Sequence, residues 1–201
     1  MTGLENIPRI HTAIAEWISC LIFVIVNKKR FNLAVTVVLS AFFLGVQIVW
    51  QEFAGTLALE FWLLGMITAV AFMYLYIYTC TTFPFFGAGV KCAYAFIIAE
   101  FIASLEWQLY YFFVMNVFKE RLLLVEILFV AVVYSLVFAA AIYLELRNHR
   151  NLINVGTNFK DFAATATIAA AIFTVSNISF LGVNTPFSSS YTSEIFIIRT
   201  L

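Results

Sequence analysis

Apolar residues run along this chain in long blocks, each closed by a short polar or charged cluster, and the blocks have the length of membrane-crossing helices. A helix rises 1.5 Å per residue, so about 20 apolar residues cross a hydrocarbon core roughly 30 Å thick. Residues 10–26 form the first block, with Glu16 as its one interior charge, and Asn27, Lys28, Lys29 and Arg30 end it. Residues 31–50 carry no charge, and Gln51 through Gly55 read as a turn. Residues 57–78 follow, with Glu60 near the start and Tyr74, Tyr76 and Tyr78 near the end. Pro84 then predicts a break, because proline has no amide donor to continue the helix.

The fourth block, residues 88–118, is the longest and holds Glu100, Glu106 and Gln108, and Lys119, Glu120 and Arg121 mark the next turn. Residues 122–144 make a fifth block, with Glu126 in its first turn, and a polar connection from Glu145 to Asp161 leads to a sixth at residues 162–183. The expected fold is an all-α, polytopic transmembrane bundle of about six spans, one domain over residues 1–201. Residues 195–201 read as the opening of a seventh span, as though the chain were cut off before its natural end.

Composition agrees with this pattern. Of 201 residues, 64% are hydrophobic and 11% charged, where soluble domains have roughly 45–50% and 25%, and mean hydropathy is +1.00. So much apolar surface does not fit inside a soluble fold of this size, and the lipid bilayer is the expected partner. A net charge of zero gives no basic field for nucleic acid. Cys20, Cys80 and Cys92 are odd in number and lack metal-type spacing, so they read as small apolar residues. The first block is not a cleaved signal peptide, because its basic cluster follows the apolar run.

Lys and Arg accumulate in loops on the cytoplasmic side of a membrane. Seven of them (Lys28, Lys29, Arg30, Lys91, Arg147, Arg150 and Lys160) belong to the connections after spans one, three and five. The opposite face has four: Arg9, Lys119, Arg121 and Arg199. This favours an N-terminus outside.

Charges at membrane depth cost about 2.5–3.5 kcal/mol or more on insertion scales, so each needs a reason. On the fourth helix Glu100, Ser104, Trp107, Gln108 and Tyr111 share one stripe, since steps of three, four and seven return to the same face. Glu106 lies about 120° round from Glu100, as 3.6 residues per turn requires. This stripe should point into the bundle. It is either a site for a small ligand, peptide or ion anchored by Glu100, or a set of interhelical hydrogen bonds, with Glu100 neutral or paired to Lys91 or another span. Glu16 and Glu60 read as residues near the membrane boundary. Trp17, Trp50, Trp62, Trp107 and the three tyrosines read as interface belt or bundle filling. His11 reads as a lone residue near the first boundary, and His149 as part of a solvated loop.

Enzymatic constellations are missing: there is no GxSxG, HExxH, P-loop or Gly-rich dinucleotide motif, and no cofactor or metal is expected. A cysteine–histidine peptidase would need Cys80 or Cys92 beside His149, which nothing local supports.

Two stretches carry a resemblance. Residues 93–111, AYAFIIAEFIASLEWQLYY, and the tail, PFSSSY at 186–191 with EIFIIRTL at 194–201, resemble the membrane sensor regions of GHKL-type histidine kinases from Gram-positive gut bacteria of clostridial type. The resemblance implies a receptor for an extracellular or membrane signal, working as a homodimer, with a further span, a phosphoaccepting histidine and an ATP-binding lobe to follow. None of those parts is present, no catalytic residue carries over, and the chain by itself should have no kinase activity. The competing reading is a six-helix transport protein, such as the substrate-binding membrane subunit of a small-molecule transporter.

Overall fold

The computed structural model describes residues 7–57, 61–114, 123–152 and 158–177. Among them the chain folds into six helices: α1 (Arg9–Val26), α2 (Leu33–Gly55), α3 (Trp62–Cys80), α4 (Phe85–Phe113), α5 (Leu123–Leu152) and α6 (Phe159–Asn177). The fold is an all-α bundle, and α1 to α5 each contain a stretch long and apolar enough to cross a membrane. The described part of α6 is 19 residues, rich in Ala and Thr, and is not among those five. Glu60, the turn at 119–121, the end of the sixth block and the tail with its expected seventh span lie outside the described residues.

Local sequence sets the helix ends. Asn32 caps α2, its side chain accepting from the Val35 amide at 2.9 Å. Pro84 stands immediately before α4, and its carbonyl accepts from Ala88 at 2.9 Å, so α4 begins three residues earlier than the apolar block. At α6 the Asn158 amide donates to Asp161 at 3.0 Å, satisfying one of the open donors at that end.

Two helices outlast their apolar runs, correcting the expected boundaries. Residues 51–55 are the last turn of α2 and not a loop, because Gln51 is buried and bonded across the bundle. Likewise α5 continues past residue 144 to Leu152, with Glu145 accepting from Lys91 of α4 at 2.6 Å. A polar residue with a partner in the next helix does not end its own helix.

Helices α1 and α4 form the centre. α4 packs on α1, α3, α5 and α6, while α1 packs on α2, α3, α4 and α5. Of their span residues 50% and 56% are buried, against 17% in α2 and 11% in α5, so the latter two are peripheral. Their outward residues are large and apolar, such as Leu33, Val38 and Val49 on α2 and Leu123, Leu124 and Leu136 on α5. A face like that suits lipid and not water.

The two ends of the bundle are built differently. At the basic end, the Arg30 amide donates to Cys80 O at 3.0 Å and Thr82 N to Lys28 O at 3.1 Å, an isolated antiparallel bridge joining two connections. Arg30 also donates to Thr81 O at 3.2 Å and lies 5.0 Å over the Tyr78 ring. Tyr74, Tyr78, Phe85, Phe86, Phe159 and Phe162 gather there in ring contacts, an aromatic collar of the kind found at membrane boundaries.

The approach of α6 to α4 depends on Gly89. A Cβ there would come within 2.6 Å of the Phe162 ring, closer than any real contact. Gly89→Ala is therefore expected to cost about 1–3 kcal/mol by overpacking. Thermal unfolding in lipid nanodiscs checks this, and in a Phe162→Ala background the same change should cost much less.

Candidate functional site

The candidate site begins with what α1 brings into the bundle. Its first turn carries His11, and Glu16 lies five residues on, about 7.5 Å deeper along the axis. Both face inward, at 8% and 1% exposure. In a membrane each buried polar group needs a partner from a neighbouring helix, because lipid supplies none.

For Glu16 the partners come from α2. Gln47 donates to one carboxylate oxygen at 2.5 Å and Gln51 to the other at 2.7 Å. The two glutamines are four residues apart, so their side chains share a face and grip the carboxylate together. Gln47 also donates to Ala69 O on α3 at 3.4 Å, which ties a third helix to the group. Glu16 is therefore a core residue and not a boundary one, contrary to its position in the apolar block.

His11 is engaged on both ring nitrogens. Its Nδ1 lies 3.2 Å from Glu106 Oε2 on α4, and its Nε2 lies 3.5 Å from Glu126 Oε1 on α5. The Tyr134 hydroxyl of α5 donates to the His11 carbonyl at 2.9 Å, and the Trp107 ring stands edge-on at 6.2 Å. The expectation of a lone histidine at the boundary is thus corrected: His11 joins α1, α4 and α5. Glu106 is fully buried, and its Oε1 has no hydrogen-bond partner among the described residues.

The expected stripe on α4 is placed as follows. Ser104, Trp107, Gln108 and Tyr111 are buried, at 3%, 0%, 7% and 8% exposure, and Glu106 is buried beside them. Glu100 is half-buried and lies within electrostatic reach of Glu16. Lys91, one partner considered for Glu100, is taken by Glu145. Glu106 makes the contact with His11 of α1.

The aromatic residues divide between the two expected roles. Trp17 donates to Ser40 O and Trp50 to Gly65 O, both at 2.9 Å, while Trp107 fills the bundle against Tyr110. Tyr76 is buried with its hydroxyl on Ser40, whereas Tyr74 and Tyr78 stack in the aromatic collar. All three cysteines are buried and free. Among the described residues no group of three or more His, Cys, Asp or Glu could hold a metal. The side chains of Trp62 and His149 lie outside the described residues.

An apolar groove of about 640 Å³ opens between α3, α4 and α6, floored by Gly89, Cys92, Ala93 and Phe96. It lies on the half of α4 nearer the basic end, away from the polar stripe. Compared with known proteins, the chain matches no family model, no curated protein and no solved structure.

Residues that the sequence left unremarked carry much of this site. Gln47 and Gln51 gave one signal, two amides at helical spacing on a mainly apolar helix. His11 gave none that named Glu106, 95 residues away.

The amide grip on Glu16 is testable. Gln47→Leu and Gln51→Leu should each lose about 0.6–1.7 kcal/mol, the range of interhelical hydrogen bonds in membranes. The double variant should lose less than the two together, because both amides serve one carboxylate. Unfolding of the lipid-reconstituted protein by graded SDS measures all three.

Proposed function

We propose that this chain is the membrane-embedded sensor module of a two-component histidine kinase. In this reading it lies in the bacterial cytoplasmic membrane with its N-terminus outside and pairs with a second copy. It passes an extracellular or membrane-borne signal to a kinase domain carried on a continuation of the chain. The observation that supports it best is the buried meeting of His11 of α1, Glu106 of α4 and Glu126 of α5.

A receptor needs two packings whose balance a signal can shift by its different affinity for each. Polar contacts between helices are broken and re-made when helices shift, so they bias which packing prevails. Here those contacts cluster between the two central helices and the peripheral α5, which suits a bundle that moves one helix against a core. The likeness of residues 93–111 to kinase sensor regions supports the same reading. The transport alternative needs a chamber around Glu100 and Trp107, but Trp107 is fully buried and packed on the His11 and Tyr110 rings.

Two experiments test this. The reading frame beyond the Leu201 codon should continue into a further span and an ATP-binding lobe, and a stop codon there beside transporter ATPase genes removes the kinase reading. In the complete protein, Glu100→Gln and Gln108→Ala should change signal-dependent autophosphorylation at least about tenfold, equivalent to 1.4 kcal/mol in the packing equilibrium. Membrane insertion should be unaltered. Normal signalling in both variants would reduce the stripe to packing.

A further inference from the structure

We propose that His11, Glu106 and Glu126 form a proton-operated clasp that fastens α5 to the α1–α4 core. A neutral imidazole has one N–H and one lone pair, whereas a carboxylate offers only lone pairs. His11 presents one ring nitrogen to Glu106 at 3.2 Å and the other to Glu126 at 3.5 Å. With a neutral ring and two carboxylates, one of these contacts sets a lone pair against a negative oxygen.

A single added proton removes the mismatch wherever it sits. On the ring it makes an imidazolium that donates to both carboxylates. On either glutamate it makes an acid that donates to the ring nitrogen lacking a proton. The three groups therefore hold one proton in common, and no one residue owns it. Adding the proton closes both contacts; removing it opens one of them.

The surroundings make this count matter. The side chains of His11, Glu106 and Glu126 are 10%, 0% and 14% exposed, so water does little to screen a mismatched contact. The backbone of His11 is fixed by the Tyr134 hydroxyl, which holds the ring in place while its charge changes. Among the described residues α2 and α3 place no charged partner on His11. On its own helix, Arg9 packs against Gly55 of α2, and Glu16 is taken by the two glutamines. No other charged partner among the described residues substitutes for the proton.

The sign follows. The clasp is complete while the shared proton is present and loses one contact when rising pH removes it, so α5 is held more loosely in the alkaline form. This inference stands apart from the receptor reading, because a clasp that titrates in a protein with no kinase partner leaves it intact.

The chain has two histidines, so ¹⁵N-histidine labelling with His149→Gln leaves one signal to follow. In lipid nanodiscs, the ¹⁵N spectrum of His11 should report a change in ring protonation or hydrogen bonding as pH is raised. That transition should be displaced or lost in both Glu106→Gln and Glu126→Gln. The melting temperature of the otherwise native chain should fall through the same transition, and His11→Gln should flatten that dependence. A His11 spectrum constant over the whole pH range of the folded protein would overturn the clasp. So would a transition unmoved by either glutamine variant. Because the spectrum is read on a chain with the trio intact, poor folding of a variant does not shelter the proposal.

Discussion

The two central helices, α1 and α4, each bury a carboxyl group, and the surrounding helices are arranged to meet them. Glu16 and Glu106 sit at 1% and 0% exposure within a bundle whose outer faces are apolar. Neither can be left alone in a medium without hydrogen bonds. α2 answers with two glutamine amides, and α5 answers with Glu126 and the Tyr134 hydroxyl around the histidine that meets Glu106. Close apolar packing and these polar pairings together specify which residues face one another.

The ends of the bundle divide the work of holding it together. The basic end is tied by backbone hydrogen bonds between the connections at Lys28–Arg30 and Cys80–Thr82, closed over by aromatic rings. The Lys91–Glu145 ion pair adds a side-chain tie toward that end. The opposite end is tied by the side chains of His11, Glu106 and Glu126. A bundle fixed at one end and adjustable at the other can splay a helix without coming apart, a hinge-like arrangement suited to carrying a change from one membrane face to the other.

The fold was legible because the bilayer imposes a length, and repeated apolar runs of about 20 residues match the thickness of its hydrocarbon core. Helix ends were less so. Gln51 and Glu145 look like loop residues in a hydropathy pattern, yet each has a partner on the next helix that lets its own helix continue. The site was half legible. The α4 stripe from Glu100 to Tyr111 follows from helical periodicity, a local property. The pairing of His11 with Glu106 depends on how α1 and α4 slide against each other, which local spacing does not encode. Glu16 was misplaced for the same reason: its depth is set by the amides of α2.

The depths of the two buried acids also differ in a way that physics explains. His11 is in the first turn of α1 and Glu126 in the first turn of α5, so their cluster lies near one face of the bundle. The cost of charge falls toward a membrane boundary, and a carboxylate in a helix's first turn is favoured by the positive end of the helix dipole, as Glu126 is. Protons can reach such a place from the aqueous side. Glu16 lies deeper, and its partners are amides, which neither titrate nor carry charge. The cluster nearer the aqueous face is thus the one that solvent protons reach, and the deep acid is held by two amides. That gradient lets one core serve both as a fixed anchor for α2 and as an adjustable fastening for α5.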